Sequence, residues 1–194
     1  GPAEVAYGID FDALEPYPGQ LPLPVQRQLS ASAATRLSVH LGTRRYRYQE
    51  YTGIDGLRDR MLVSLGLYGG VSVGRGFGWL TPSDVPALDD WFGRLHGSFG
   101  APIGSSLLHG GVTVESRRDG GAWQDVLMDA DLVAWLRTDA LPAHTVLLRA
   151  SVAGGSRVAL PFQLSLCGRE GVRSLPEDRF PGGRLARLVV EDRI

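Results

Sequence analysis

Between residues 67 and 80, five glycines (Gly69, Gly70, Gly74, Gly76, Gly78) are interleaved with Leu67, Tyr68, Val71, Val73, Phe77, Trp79 and Leu80. β-Branched and aromatic residues at this density favour extended chain, and glycines within such a run leave its backbone open to close approach. The stretch therefore predicts a strand on which something packs or to which something binds.

On either side the apolar period changes. Ile54, Leu57, Met61, Leu62 and Leu65 recur at helical spacing, with Thr52 or Asp55 able to cap and Gly66 placed to stop the helix. Thr81, Pro82, Ser83 and Asp84 offer a capping hydroxyl, an early proline and an acid at the positive end of a dipole. Val85, Leu88, Trp91, Phe92 and Leu95 make the stripe of that second helix, which Gly97 ends. Asp129 caps a third, short one whose Leu132, Val133 and Leu136 face inward.

Elsewhere the alternation is that of hairpins. Leu37, Val39 and Leu41 lead into a turn at Gly42-Thr43 and out through Arg45, Tyr46, Arg47 and Tyr48. Asp119-Gly120 joins residues 112–118 to 123–128, and Ala153-Gly154-Gly155-Ser156 joins 144–152 to 157–166. A last strand covers 185–191, and Pro161 marks its strand as an edge or a bulge. The expected fold is α+β and β-rich, with antiparallel hairpins forming a curved sheet or sandwich and about three short helices. Residues 35–194 read as a single globular domain. Residues 1–34, with Pro2, Pro16, Pro18, Pro22 and Pro24, read as a Pro-rich extended arm.

Composition narrows function mainly by exclusion. The 194 residues are 43% apolar, enough for one core without disulfides or metal, and the formal charge is −1. No global field draws in nucleic acid or an anionic membrane. Every cation is Arg, with no Lys and no Asn, which reads as a GC-rich coding genome. The single cysteine, Cys167, excludes an internal disulfide and a Cys-cluster zinc site, and otherwise reads as a structural thiol. No run of about 18 apolar residues occurs, so no membrane span is expected, and the default compartment is cytoplasmic.

Arg75, Gly76, Phe77, Gly78, Trp79 and Leu80 follow a basic-Gly-aromatic-Gly-aromatic-apolar order. This resembles the central strand motif of RNA-recognition-motif domains, whose exposed aromatics stack on bases. The resemblance extends to Leu95-His96-Gly97 and covers residues 37–97. It implies Phe77 and Trp79 as stacking residues and Arg75 as a phosphate contact. Separately, Arg45, Tyr46, Arg47 and Tyr48 interleave cations and aromatics, which suits either a nucleic-acid surface or an ordinary exposed strand face. The resemblance departs from that family at Pro82, where an aromatic belongs, at the bulky Leu88 and Trp91, and at Ser38 on the partner strand. The competing reading is that the glycines let another element pack closely.

Catalytic signals are weak. Asp10 and Asp12 put two carboxylates on one side of an extended segment without a third ligand. His40, His96, His109 and His144 occur singly, and Ser105 and Ser106 lack the nucleophile-elbow pattern. No cofactor or metal site is expected. The preferred function is a non-enzymatic protein-binding or assembly module, acting through strand edges and the Pro-rich arm on a protein partner or on another copy of itself. A single-stranded RNA-binding module and a small β-rich enzyme assembled only in three dimensions are the alternatives.

Overall fold

A computed structural model of the protein describes residues 3–14, 32–54, 60–80, 88–138, 140, 143–158, 164–165 and 181–193. These residues are nearly all antiparallel strand, and no helix among them reaches seven residues. The chain runs through β1 (Ala3–Leu14), β2 (Ser32–Thr52), β3 (Arg60–Gly76), a 3-10 turn (Gly78–Leu80), β4 (Trp91–Ile103), β5 (Ser106–Asp119), β6 (Ala122–Leu136), β7 (Thr145–Ser156), β8 (Leu164–Ser165), β9 (Pro181–Gly182) and β10 (Arg184–Arg193). Eight strands form one meander in the order β1-β2-β3-β4-β5-β6-β7-β10, while β8 and β9 pair with each other.

The expected α+β class is thus corrected to all-β. Residues 60–65 of the first expected helix begin β3, Trp91 and Leu95 of the second lie in β4, and the third is the end of β6; residues 55–59 and 81–87 lie outside the described residues. The helical spacing came from counting large residues of both faces together. In β4, Trp91 and Leu95 belong to one face and Phe92 to the other, and the glycines at 93 and 97 leave gaps that mimic a period near four.

Two expected turns are also continuous strand. β2 passes straight through Gly42, where a Cβ would lie 3.0 Å from His40 Nε2 and 3.4 Å from the Gly69 carbonyl. β7 passes through Gly154 and Gly155, which pair with Arg184 and Leu127. The turn at Asp119-Gly120 does form: Asp119 pairs with Ala122, and Gly120 and Gly121 take φ of 55° and 90°. Ala3–Leu14, within the expected arm, pairs along its whole length with β2. Pro161 and Cys167 lie outside the described residues.

The strands are long for a globular sheet, 10 to 15 residues in β4, β5, β6, β7 and β10, and they slope across it. The exposed apolar run of β2 centres on Val39 and that of β10 on Leu188. The hydrogen-bond row through Leu188 passes Ala150, Leu132, Gly110, Phe99 and Leu67 and meets β2 at Arg45, six residues beyond Val39. Six residues over six strand steps is about 20 Å of drift over about 29 Å, a slope of about 35°. Closed barrels slope their strands by a similar angle.

The buried apolar core is small and sits at one end of one face. Beyond Gly66, the last β3 residue paired with β4, the β2–β3 hairpin continues alone and bends over the sheet. Gly66 has φ +128°, and a Cβ there would lie 1.9 Å from the Arg45 carbonyl; a Cβ at Gly100 would lie 2.5 Å from the Ser64 carbonyl. Both positions are open only to glycine. The bend lays Leu65 and Ile54 against Leu107, with Tyr51, Val63 and Trp135 around them, and the guanidinium of Arg193 in β10 donates to the Ile54 carbonyl at the hairpin tip. Burying Leu65 and Leu107 contributes about 1.5–3 kcal/mol each.

Candidate functional site

Residues paired across strands share a face, so the register sorts the side chains of the sheet. One face carries Leu37, Val39 and Leu41 of β2; Leu67, Val71 and Val73 of β3; Leu95 of β4; Val112 of β5; Met128, Leu132 and Leu136 of β6; Val152 of β7; and Leu188 and Val190 of β10. All of these are exposed, Leu188 at 72% and Leu67 at 66%. The remaining positions between them are mostly Gly, Ala and Val.

The opposite face is polar and less exposed. It carries Arg36, Ser38 and His40; Ser64, Tyr68 and Ser72; Arg94, His96 and Ser98; His109, Thr113, Glu115 and Arg117; Arg149 and Ser151; and Arg187, Glu191 and Arg193. β10 shows the inversion within one strand: Leu188 and Val190 are exposed while Arg187, Glu191 and Arg193 are half-buried. A water-soluble sheet puts its apolar residues on the covered face and its charges outside. Over most of its length this one does the reverse; at one end the covered face carries the buried Leu107, Val133 and Leu147.

Several charges on the polar face are paired, while the buried Nε atoms of Arg149 and Arg187 have no hydrogen-bond partner among the described residues. Arg36, 4% exposed, makes a two-pronged contact with the fully buried Asp90, Nε to Oδ1 at 3.2 Å and Nη2 to Oδ2 at 2.8 Å, and lies 5.5 Å from the Phe92 ring centre. Arg117 lies 4.0 Å from Asp125, Arg94 3.5 Å from Glu115, and Arg193 3.1 Å from Glu191. Burial pulls the Arg117 guanidinium below its ordinary pKa, and Asp125 pulls it the other way. Such pairing makes a charged wall tolerable at reduced hydration.

The structure also brings together two histidines that the sequence left apart. His40 and His96 stack with ring centres 5.3 Å apart and planes within 7°, Tyr68 lies 4.8 Å from His96, and His40 Nδ1 is 2.9 Å from Ser72 Oγ. The rings meet over Gly70, where a Cβ would come within 2.7 Å of both. Burial first, then the charges of His40 and Arg94, push the His96 pKa below 6.5. Correct strand register would have found this pair. His109 is on the same face, whereas His144 sits ahead of β7 with Nδ1 2.8 Å from Asp192. Among the described residues no three His, Cys, Asp or Glu side chains form a metal-binding group.

The other sequence candidates are dispersed. Arg75 faces the apolar side at the end of β3, ion-paired to Asp89 at 2.7 Å. Phe77 lies just past β3, and Trp79, 81% exposed, lies in the 3-10 turn, with the two rings edge-to-face at 6.3 Å. Arg45 and Arg47 alternate along β2 with Tyr46 and Tyr48, all exposed, and Tyr46 stacks on Tyr68 at 6.2 Å. Asp10 and Asp12 lie in β1, opposite Arg36 and Ala34 in register. Ser105 and Ser106 hydroxyls donate to the Arg137 carbonyl at 3.1 and 3.3 Å, tying the β4–β5 turn to the end of β6.

Comparison with known proteins finds no matching family model, no matching curated protein and no matching solved structure. No helix among the described residues is long and apolar enough to cross a membrane.

Proposed function

We propose that this chain forms wall of a transmembrane β-barrel, with the Leu/Val face toward lipid and the Arg/Ser/His face toward a polar interior. The observation that carries the reading is the inverted exposure of the two faces. Three features support it. The strands are connected as an antiparallel meander, the drift of the register corresponds to a slope of about 35°, and β4 to β7 and β10 reach the roughly 9–11 residues that a tilted strand needs to span hydrocarbon. The expectation of no membrane span rested on helical hydropathy, to which alternating strands are silent.

An assembly module acting through strand edges fits within this proposal. The outer edges of β1 and β10 have no hydrogen-bonded strand partner among the described residues, and a bilayer offers no water to an open edge. Further strands, from the same polypeptide or from a second copy, complete the wall. The RNA-binding alternative is weaker, because β3 ends at Gly76 and Phe77 and Trp79 do not alternate along a strand.

The test is reconstitution into lipid vesicles. The protein is expected to float with the vesicles after alkaline extraction and to keep its strand signal in circular dichroism. A protein that stays monodisperse in detergent-free buffer and ignores the vesicles overturns the proposal.

A further inference from the structure

Two of the four tryptophans lie in one row at an end of the apolar face with arginines beside them, and a third lies in the turn that follows β3. Arg75, Trp91, Arg118 and Trp123 are consecutive partners across β3, β4, β5 and β6, forming one continuous row at that end. Trp91 and Trp123 are about half exposed, and Trp79 projects from the adjoining 3-10 turn. Arg75 lies 5.4 Å from the Trp91 ring centre while paired to Asp89. Arg118 donates through Nε to the Gly121 carbonyl at 3.3 Å and has no carboxylate partner among the described residues.

The geometry points to a binding row for the phosphate groups of anionic lipid headgroups, an inference that rests on the barrel reading. Indole rings settle where acyl chains give way to headgroups, because one part of the ring is apolar and its N–H is polar. A guanidinium at the same level meets phosphate, whose paired oxygens match its fork of donors. Inward along the same strands the row gives way to Val73, Leu95 and Val114, so the lipid occupying it has its chains on the apolar face and its phosphate at Arg118 and Arg75. Asp89 already offsets Arg75, which makes Arg118 the principal contact. Arg184, exposed at the start of β10, adds positive charge at the same end.

The experiment uses the whole protein in phosphatidylcholine vesicles holding roughly a third phosphatidylglycerol, with bromine placed on the acyl chains of one lipid or the other to quench tryptophan. Brominated phosphatidylglycerol is expected to quench more than its mole fraction predicts, with enrichment of about fivefold. The enrichment should vanish in Arg75→Gln/Arg118→Gln, whose insertion is checked by resistance to alkaline extraction. Failure of the parent to insert removes the barrel reading itself. Insertion without enrichment, or enrichment that survives the double substitution, overturns the headgroup row alone. Enrichment abolished by millimolar inorganic phosphate marks a free-anion site and also overturns it.

Discussion

Arg36 and Asp90 show what individual residues must do on a covered polar face. Removing one member leaves a buried charge without its partner, at a cost of about 3–5 kcal/mol, whereas replacing both with apolar groups of similar volume costs far less. Asp90→Ala and Arg36→Met are therefore expected to lower stability strongly when made singly, and Arg36→Met/Asp90→Leu to recover most of it, as read by chemical unfolding. His96 adds a pH dependence. Its lowered pKa means that the unfolded chain binds a proton near the ordinary 6.5 that the folded chain refuses. Stability contributed by neutral His96 is thus present above 6.5 and lost as pH falls through 6.5 toward the folded value. The unfolding midpoint is expected to be lower at about pH 5.5 than at about pH 7.5, and His96→Gln to shrink that difference.

At the scale of elements, the bend of the β2–β3 hairpin depends on Gly66. A methyl group there meets backbone, not a movable side chain, and φ of +128° is a conformation that side chains rarely adopt. Gly66→Ala is expected to lift the hairpin from the sheet and expose Leu65, Leu107 and Trp135. The readout is a red-shifted Trp135 emission with the other three tryptophans replaced, and an unchanged spectrum counts against the bend. The elements were only partly legible in sequence. The Asp119-Gly120 turn was, because its chemistry is local. Residues 67–76 of β3 were as well, because β-branched and aromatic residues at that density favour extended chain. Residues 60–65 and β4 were not, because large residues spaced by glycine on one face of a strand, as at Trp91, Gly93, Leu95 and Gly97, carry a period that helices share. The His40–His96 pair needed cross-strand register, which the mistaken turn at Gly42 hid.

For the molecule as a whole, the barrel proposal predicts that the two faces respond to charge in opposite senses, and β5 offers adjacent positions for testing this. Val112 lies on the apolar face, 42% exposed, in mid-strand, and Thr113 faces the polar side in the row of His96 and Gly70. If water bathed the exposed face, Val112→Arg would be nearly neutral, within about 0.5 kcal/mol, because surface positions tolerate charge, and Thr113→Arg would be the damaging change. Lipid reverses the order. An arginine near the bilayer midplane on the outer face costs about 2–4 kcal/mol, whereas positions lining a polar interior accept charge at little cost. Val112→Arg is therefore expected to cut the fraction of protein that inserts into vesicles severalfold, while Thr113→Arg inserts as the parent does. Measured by flotation after alkaline extraction, equal insertion of the two variants, or a greater loss for Thr113→Arg, would mean that the exposed leucines and valines await a protein surface instead of lipid.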